Sequence, residues 1–475
     1  MPRCGGAAAQ GPSLIDSGRF AGTDHASMVP AMSRPLDPLR RFAGRLPSTP
    51  EQTRRRSFTI LFCVLMSVAA GNTSMQSVLP AIGREIGIRD TLIAAIFTMS
   101  ALFWTLTAPF WAKRSDRVGR KKMVVTGLAG FGVSMLGFAL VVLAGLNKLA
   151  LPMVIFAGAA MTRAIFGLVG SASNPAAQAY VADRSERFER TGALATLASA
   201  FGLGTILGPA VAPLFVLPIV GLSGPMFAFA TVAFVMMAVV QIGLPDDGPE
   251  SRIAWAEKVK AQALEPKLKR KTGLWRDPRM MPFIIYGFLV GSAQAINGQT
   301  LGFLIIDKMG VTPAQASGFT GVAMMAGAVA GLLAQWGLIR MLRIGPRQLM
   351  RWGAGLAVLG NVMMALAPNY ATVVTAFALT SLGYGFGRPG FTAGSSLAVD
   401  QTEQGEVAGA ITAVNGACYI IAPVFGVMLY ELGGPLPYAF NVVILIALLG
   451  FAFRNPTLKA VGEDLAEPDP TISDS

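Results

Sequence analysis

Two arginines lie within long apolar runs of this sequence, and each could bind an anion. Arg163 stands in MTRAIFGLVGSAS and Arg388 in YGFGRPGF. A charged side chain at the centre of a bilayer costs at least about 2.5–3.5 kcal/mol unless it meets polar partners or water. A guanidinium in such a place can recognise an anionic solute, or it can bond carbonyl and amide groups of neighbouring helices. For Arg388, capping a kink or snorkelling to the membrane surface is the alternative.

Amide and hydroxyl side chains follow the same runs and extend the candidate site. The first run carries Asn72 and Gln76, and the seventh carries Gln294 and Asn297. Such groups donate and accept hydrogen bonds without charge, so they can line a solute site. Single Asn and Gln residues also join membrane helices to each other, at about 1 kcal/mol each. The candidate solute-binding residues are therefore Arg388 with Asn72, Gln76, Gln178, Gln294, Asn297, Asn415 and Tyr419.

Carboxylates are missing from the middle of the runs. Residues 57–82 contain no Asp or Glu, and the acids further along stand near the ends of runs: Asp183, Asp307, Asp400 and Glu431. Two buried cations without a central acid repel a third positive charge. The sequence therefore favours a neutral or anionic solute over an organic cation.

The apolar runs themselves predict an all-α membrane protein with twelve transmembrane helices. The chain has 475 residues, of which 53% are hydrophobic and only 14% are charged. No soluble domain of this size has such a composition. Runs of about twenty apolar residues recur along it with short connections. We place the twelve spans at 57–82, 91–111, 123–146, 151–181, 192–216, 222–244, 281–306, 313–338, 352–368, 371–398, 407–429 and 436–453.

The net charge of +13 reports membrane orientation rather than nucleic-acid binding. With these spans, 33 of the 39 lysines and arginines fall in the two termini and the even-numbered connections. The odd-numbered connections carry only Arg84, Arg89, Lys148 and Lys308. By the positive-inside rule we expect both termini in the cytoplasm, with membrane lipid as a secondary partner. The first run begins at residue 57 without a cleavage site of small residues, so we expect a span there rather than a signal peptide.

Other kinds of chemistry find no support in the residue pattern. Cys4, Cys63 and Cys418 stand far apart, so neither a disulfide framework nor a metal pattern is expected. His25, the sole histidine, lies in the amino-terminal tail, which excludes a histidine proton relay. The sequence has no phosphate-cradling loop for ATP and no nucleophile–base arrangement. We therefore expect no enzyme, no cofactor and no metal.

The spans divide into two halves around a hydrophilic linker. We expect a disordered basic tail at 1–56, an amino-terminal half at 57–244, a linker at 245–280, a carboxy-terminal half at 281–455 and a tail at 456–475. Part of the linker, around Trp255, is either a short amphipathic surface helix or a solvated segment. An offset of 217 superposes four residues of the first half on four of the second, which predicts an internal repeat. These are Gly170, Asp183, Glu189 and Gly192 on Gly387, Asp400, Glu406 and Gly409.

The segment WAKRSDRVGRKK at 111–122 separates the second and third spans, and its charges predict a tight cytoplasmic loop. It resembles the signature G-x-L-A-D-R-x-G-R-R/K of the major facilitator superfamily. The matching residues are Asp116, Arg117, Gly119, Arg120 and Lys121, whereas Ala112 and Arg114 replace the first glycine and the leucine. The resemblance implies that Asp116, Arg117 and Arg120 help to latch two halves of a carrier. A plain topological anchor is the alternative.

Two shorter motifs resemble the same family. Arg163, Gly167 and Gly170 follow its fourth-span pattern R-x-x-x-G-x-x-G, which implies a coupling role for the arginine. In the fifth span, Gly204, Gly208 and Pro209 resemble the motif of members that export by antiport, which implies a gating role for these residues. Ala195 and Ala212 replace glycines of that motif. Faces of small residues also occur in any closely packed membrane bundle.

The resemblance, which covers roughly residues 57–455, implies a secondary active transporter nearest the twelve-span drug:proton antiporter branch. We expect a monomer in the inner or plasma membrane that moves a small organic solute by alternating access. Proton-coupled efflux of a neutral or anionic drug, siderophore or metabolite is the main interpretation. An uptake carrier for a riboflavin-like vitamin or an organic acid is one alternative. A transporter-like sensor or assembly factor is the alternative of another class.

Overall fold

The computed structural model describes residues 49–186, 189–246, 277–399 and 403–460. Within them the chain forms helices and turns, with one isolated bridge between Leu217 and Gly221. A helix lies over each of the twelve predicted spans. Spans 1 to 6 are Pro50–Ile86, Asp90–Val118, Arg120–Leu146, Pro152–Asp183, Arg190–Val211 and Gly224–Gly243. Spans 7 to 12 are Met281–Met309, Pro313–Leu342, Pro346–Leu366, Tyr370–Leu397, Gln404–Leu432 and Leu436–Arg454.

The predicted all-helical membrane fold is confirmed. Among the described residues, eleven of these helices are long and apolar enough to cross a membrane. Span 10 is 28 residues long and therefore also long enough, but it is less apolar. Its second half, which reads GYGFGRPG before residue 391, replaces aliphatic side chains with glycines and Arg388. The predicted linker segment around Trp255 and most of both tails lie outside the described residues.

Span 1 begins at Pro50, earlier than the predicted residue 57, because local capping starts the helix in the polar segment. Thr49 accepts a hydrogen bond from the amide of Gln52, whose side chain in turn accepts from the amide of Thr49. Pro50 occupies the first helical turn, where its missing N–H is not needed. The basic residues at 54–56 therefore extend the helix beyond the apolar run.

The predicted loop at 111–122 is wrong in its backbone conformation. Span 2 continues to Val118 and span 3 begins at Arg120, so only Gly119 interrupts the helices. Its φ of 108° is a value that side chains with a Cβ rarely adopt. Lysine and arginine are good helix formers, so the charged segment leaves the apolar layer without leaving the helix. The connection is one residue long.

A proline flanked by glycines commonly breaks a helix, but Pro389 does not break span 10. Span 10 continues as one α-helix from Tyr370 to Leu397, with the proline inside it. Proline removes one backbone hydrogen bond, and neighbouring helices of a membrane bundle tolerate that loss. Arg388 therefore projects from a continuous helix.

The twelve helices form two bundles that meet along six of their spans. Span 2 packs against span 11, span 5 against span 8, and span 1 against both spans 7 and 8. Small residues allow the close approach: a Cβ on Gly416 of span 11 would lie 2.9 Å from the hydroxyl of Thr105 in span 2. A Cβ on Gly302 of span 7 would lie 2.6 Å from Pro80 of span 1. Spans 1, 7 and 11 therefore carry most of the candidate residues at the boundary between the halves, whereas Gln178 and Arg388 stand on spans 4 and 10.

The two ends of the bundle differ in charge. We call the end that carries Pro50, Val118 and Leu397 the basic end, because exposed lysines and arginines cluster there. The opposite end, with Ile86, Asp90 and Met309, is called the far end. Among the exposed cations of the basic end are Lys113, Arg114, Arg117, Lys122 and Arg340.

Candidate functional site

The carboxy-terminal half brings two other predicted residues, Gln294 and Asn415, to Arg388. Its Nη1 donates to Gln294 Oε1 at 3.4 Å and its Nη2 to Asn415 Oδ1 at 3.1 Å. These partners stand on spans 7 and 11, so the cluster joins three helices. All three side chains are half-buried. Within the described part of the chain, no carboxylate pairs with this arginine.

The amino-terminal half holds Arg163 in a similar way but deeper. Its Nη2 donates to Asn72 Oδ1 at 2.7 Å and to Ser100 Oγ at 3.3 Å. The side chain is only 1% exposed, and its guanidinium carbon lies 4.4 Å from the ring centre of Phe166. Nε and Nη1 have no hydrogen-bond partner among the residues that the structure describes. Arg163 is thus a buried cation with unused donors.

Each half therefore holds an arginine against an amide oxygen of its own first helix, Asn72 in span 1 or Gln294 in span 7. Guanidinium groups only donate hydrogen bonds, and the oxygen of each amide accepts one from the arginine. An accessible guanidinium held in this way is suited to hydrogen-bond acceptors, most strongly a carboxylate or another planar anion that takes a forked pair of hydrogen bonds. Of the two arginines, the half-buried Arg388 meets that condition and the buried Arg163 does not.

Span 11 shows which part of the bundle water can reach. Thr412, Asn415 and Tyr419 lie on one helical face, and they are exposed or half-buried. Gly426 and Tyr430 continue that face towards the far end, and both are buried. An opposite face is exposed and apolar, as expected for contact with lipid, and carries Ile421, Phe425, Met428 and Leu432. The polar face is therefore accessible up to Tyr419 and buried beyond it.

Spans 1 and 7 become buried at the same depth at which the polar face of span 11 does. Residues 299–306 of span 7 and residues 77–83 of span 1 are all buried. Just before them, Gly298 is half-buried, and a Cβ there would lie 3.5 Å from the side-chain nitrogen of Gln76. We infer a cavity between the halves that opens at the basic end and ends near Gly298.

Other predicted binding residues take different places. Gln178 is exposed and donates to Asn174 at 2.9 Å, and Tyr419 is exposed on the cavity face of span 11. Asn297 is buried and donates to the hydroxyl of Tyr384 at 3.1 Å. Its side chain thus bonds within the carboxy-terminal half, away from the exposed faces.

Asn297 belongs to a buried polar network that sequence reasoning missed. Asn441 donates to Asn297 Oδ1 at 2.8 Å, and Asn361 donates to the Tyr384 hydroxyl at 3.2 Å. The network joins spans 7, 9, 10 and 12. Tyr384 stands one turn before Arg388 on span 10, so these bonds also fix the rotation of the helix that carries the arginine. The missed signal is an Asn in each of spans 9 and 12, where apolar residues otherwise dominate.

At the basic end, Asp116 and Arg120 form an ion pair between spans 2 and 3. Arg120 also donates to Asp183 of span 4 at 3.1 Å and to Ser115 at 2.8 Å. Arg117 is exposed. These recorded partners all belong to the amino-terminal half, so in this conformation the cluster ties three helices of one half together.

The fifth-span motif lies against span 1. A Cβ on Gly204 would collide with the carbonyl oxygen of Met66, and one on Gly208 with that of Ala70. The hydroxyl of Thr73 donates to the carbonyl of Gly204 at 3.4 Å. The two glycines therefore let spans 1 and 5 approach each other at backbone distance.

Pro209 places the same motif at the boundary between the halves. Its carbonyl oxygen would lie 2.6 Å from a Cβ on Gly321 of span 8. Spans 1, 5 and 8 consequently meet within one turn of this proline.

Comparison with known proteins agrees with this architecture. The family model described as Major Facilitator Superfamily matches residues 61–343 and 336–471. Multidrug resistance protein 1 of Bacillus subtilis (strain 168) is 25% identical over 414 residues, which cover 85% of this chain and 98% of that protein. The class C tetracycline resistance protein of Escherichia coli is 24% identical over 379 residues, covering 76% and 86%. A bacterial homologue of the human lysosomal transporter Spinster, in an inward-facing and unoccupied conformation, superposes with a TM-score of 0.66 at 12% identity, covering 89% and 100%.

Proposed function

The chain belongs to the major facilitator superfamily and is therefore a membrane transporter rather than an enzyme, and from this premise we propose that it exports a neutral or anionic organic compound in exchange for protons. The observation that carries the proposal is the Arg388 cluster. A half-buried guanidinium, held by two amides and opposed by no acid among the described residues, adjoins a cavity open at one end. Such a site selects hydrogen-bond acceptors and disfavours cations.

Export agrees with what the relatives are called. Proteins named for multidrug resistance and tetracycline resistance match most of the chain. The solute would enter from the basic end, reach Arg388, and leave after the halves rock about their contacts. A proton gradient or the solute's own gradient would supply the energy. One chain contributes both halves of the cavity, so a monomer suffices.

We further propose that the basic end faces the cytoplasm, as the positive-inside rule requires, in an inner or plasma membrane. Reporter fusions at Lys260, which lies outside the described residues, and after Lys459 should then behave as cytoplasmic. A fusion at Lys148, in the turn between spans 3 and 4, should behave as external. An external signal at Lys260 would contradict the orientation.

Flux into proteoliposomes with an imposed pH gradient tests the function itself. Saturable, gradient-driven transport of an anionic or neutral drug-like compound is the expected result, with no transport of a permanent cation such as ethidium. Liposomes without protein and liposomes at equal pH are the controls. Robust saturable ethidium transport would overturn the charge selectivity, and flux only in the importing direction would overturn export.

A further inference from the structure

Arg84 connects the two halves at the far end, remote from the Arg388 cluster. It stands in the last turn of span 1 and donates to Asp90 of span 2 through two bonds, of 2.7 and 2.5 Å. Its Nη1 also donates to Asp307 of span 7 at 3.2 Å. Asp90 belongs to the amino-terminal half and Asp307 to the other half. One guanidinium thus ties both halves together.

Two further bonds bring span 11 into the same connection. The hydroxyl of Tyr430 donates to Asp307 Oδ2 at 2.6 Å. The backbone amide of Thr91, in the first turn of span 2, donates to Glu431 Oε1 at 2.8 Å. A free amide at a helix start attracts a carboxylate because the helix dipole is positive there. Spans 1, 2, 7 and 11 are therefore linked just outside the buried stretch that ends the cavity.

The basic end has a different pattern of ion pairs. Every ion pair recorded there between described residues stays within one half, such as Arg54 with Glu189 and Arg279 with Glu403. At the far end, hydrogen bonds and ion pairs connect the two halves. At the basic end, the ion pairs between described residues do not. This difference is expected for a cavity that is open only at the basic end. The charged contacts thus follow the conformational state of the molecule.

We propose that Arg84, Asp90, Asp307, Tyr430 and Glu431 form the far-side gate of the carrier, which must break for the cavity to open to that side. This inference rests on the proposed transport function, because a gate has meaning only in a carrier that changes face. Arg84 and Asp307 are 34% and 44% exposed, so solvent screens their attraction. A bond of modest strength suits a gate that opens once in every transport cycle.

A single cysteine at Gly298 reports whether the gate is open. The position is half-buried at the closed end of the cavity, and a Cβ there meets nothing nearer than 3.5 Å. The three native cysteines are replaced first. A membrane-impermeant maleimide applied to the far face then reacts with Gly298→Cys only when the gate opens, and applied to the basic face it reacts in the present conformation. The measurement needs no substrate, so it can fail or succeed independently of what the protein transports.

Asp307→Ala removes the bridge to Arg84 and the bond from Tyr430. Labelling of Gly298→Cys from the far face should then rise about three- to thirtyfold, and labelling from the basic face should fall. Tyr430→Phe removes one hydroxyl and should raise far-face labelling about two- to tenfold. Glu85→Gln is the matched control, since Glu85 is exposed beside Arg84 and forms no ion pair with the described residues. Glu85→Gln should leave the rate of far-face labelling within about twofold of that without the substitution.

Unchanged far-face labelling in both Asp307→Ala and Tyr430→Phe, at normal thermal stability, would overturn the gate. An increase in Glu85→Gln equal to that in Asp307→Ala would overturn it as well, because it would assign the effect to charge in general. If Asp307→Ala does not reach the membrane, Tyr430→Phe and Arg84→Gln decide the question, since each removes fewer contacts.

Discussion

Arg388→Ala is expected to weaken the apparent affinity for an anionic substrate about ten- to a hundredfold, and the affinity for a neutral analogue much less. The guanidinium carries the charge of its cluster and is held by Gln294 and Asn415. An anion that loses its charge-assisted hydrogen bond loses about 1.5–3 kcal/mol of binding free energy. The neutral analogue loses at most one ordinary hydrogen bond. Concentration-dependent flux of both compounds in proteoliposomes measures the difference.

Arg340→Ala is the control for this experiment, since it removes an exposed arginine of the basic end and changes the net charge equally. It should alter neither flux. Arg388→Lys keeps the charge but loses the planar fork, so part of the anion selectivity should return. An equal loss of apparent affinity for the anion and for its neutral analogue would show that Arg388 supports the fold of span 10 and does not recognise charge.

The Arg388 cluster could be predicted because polar side chains on membrane helices avoid the lipid and face other polar groups or water. A charge in an apolar run must meet partners or water, so Arg388 had to turn towards other polar groups. Gln294 and Asn415 are such groups on neighbouring helices, at depths that the helix rise makes comparable. Their meeting follows from burial energetics and the order of the spans.

The partners of Arg163 and Asn297 could be predicted only in part. Asn72 stood among the candidates, but Ser100, Asn361, Tyr384 and Asn441 did not. Which side of a helix faces which neighbour depends on its rotation, and span 10 or span 12 shows no clear apolar stripe that would fix it. In lipid both faces of a helix are apolar, so the periodicity that orients helices in water is weak.

The segment at 111–122 shows a second limit. Its charges placed it outside the apolar layer, and its resemblance to a family motif drew attention to Asp116 and Arg120, which form an ion pair within the amino-terminal half. Neither signal states where a helix ends, because lysine and arginine suit a helix as well as a loop. The single residue that could stop the helix was Gly119, whose positive φ needs glycine.

Gly208→Val is expected to destabilise the amino-terminal half and reduce transport to a small fraction of the unmodified level. A Cβ at this position would collide with the carbonyl oxygen of Ala70 and the hydroxyl of Thr73, both on span 1. Backbone cannot yield as a flexible side chain can, so spans 1 and 5 must separate. Overpacking of this kind typically costs about 1–3 kcal/mol or more. Thermal unfolding in detergent and flux in proteoliposomes measure the two effects.

Gly318→Val supplies the comparison, because Gly318 lies on span 8 and a Cβ there meets nothing within 4 Å. The same residue change should leave both stability and flux near those of the unmodified protein.

The contrast between the two variants also decides how the fifth-span motif works. If Gly208→Val lowers stability and flux together, the glycine acts by packing spans 1 and 5 into one rigid unit. If stability holds while flux falls, spans 1 and 5 must slide past each other during the cycle, and Gly208 is part of the moving machinery. Full flux at full stability would show that this close approach is dispensable, because the two helices then tolerate a side chain between them.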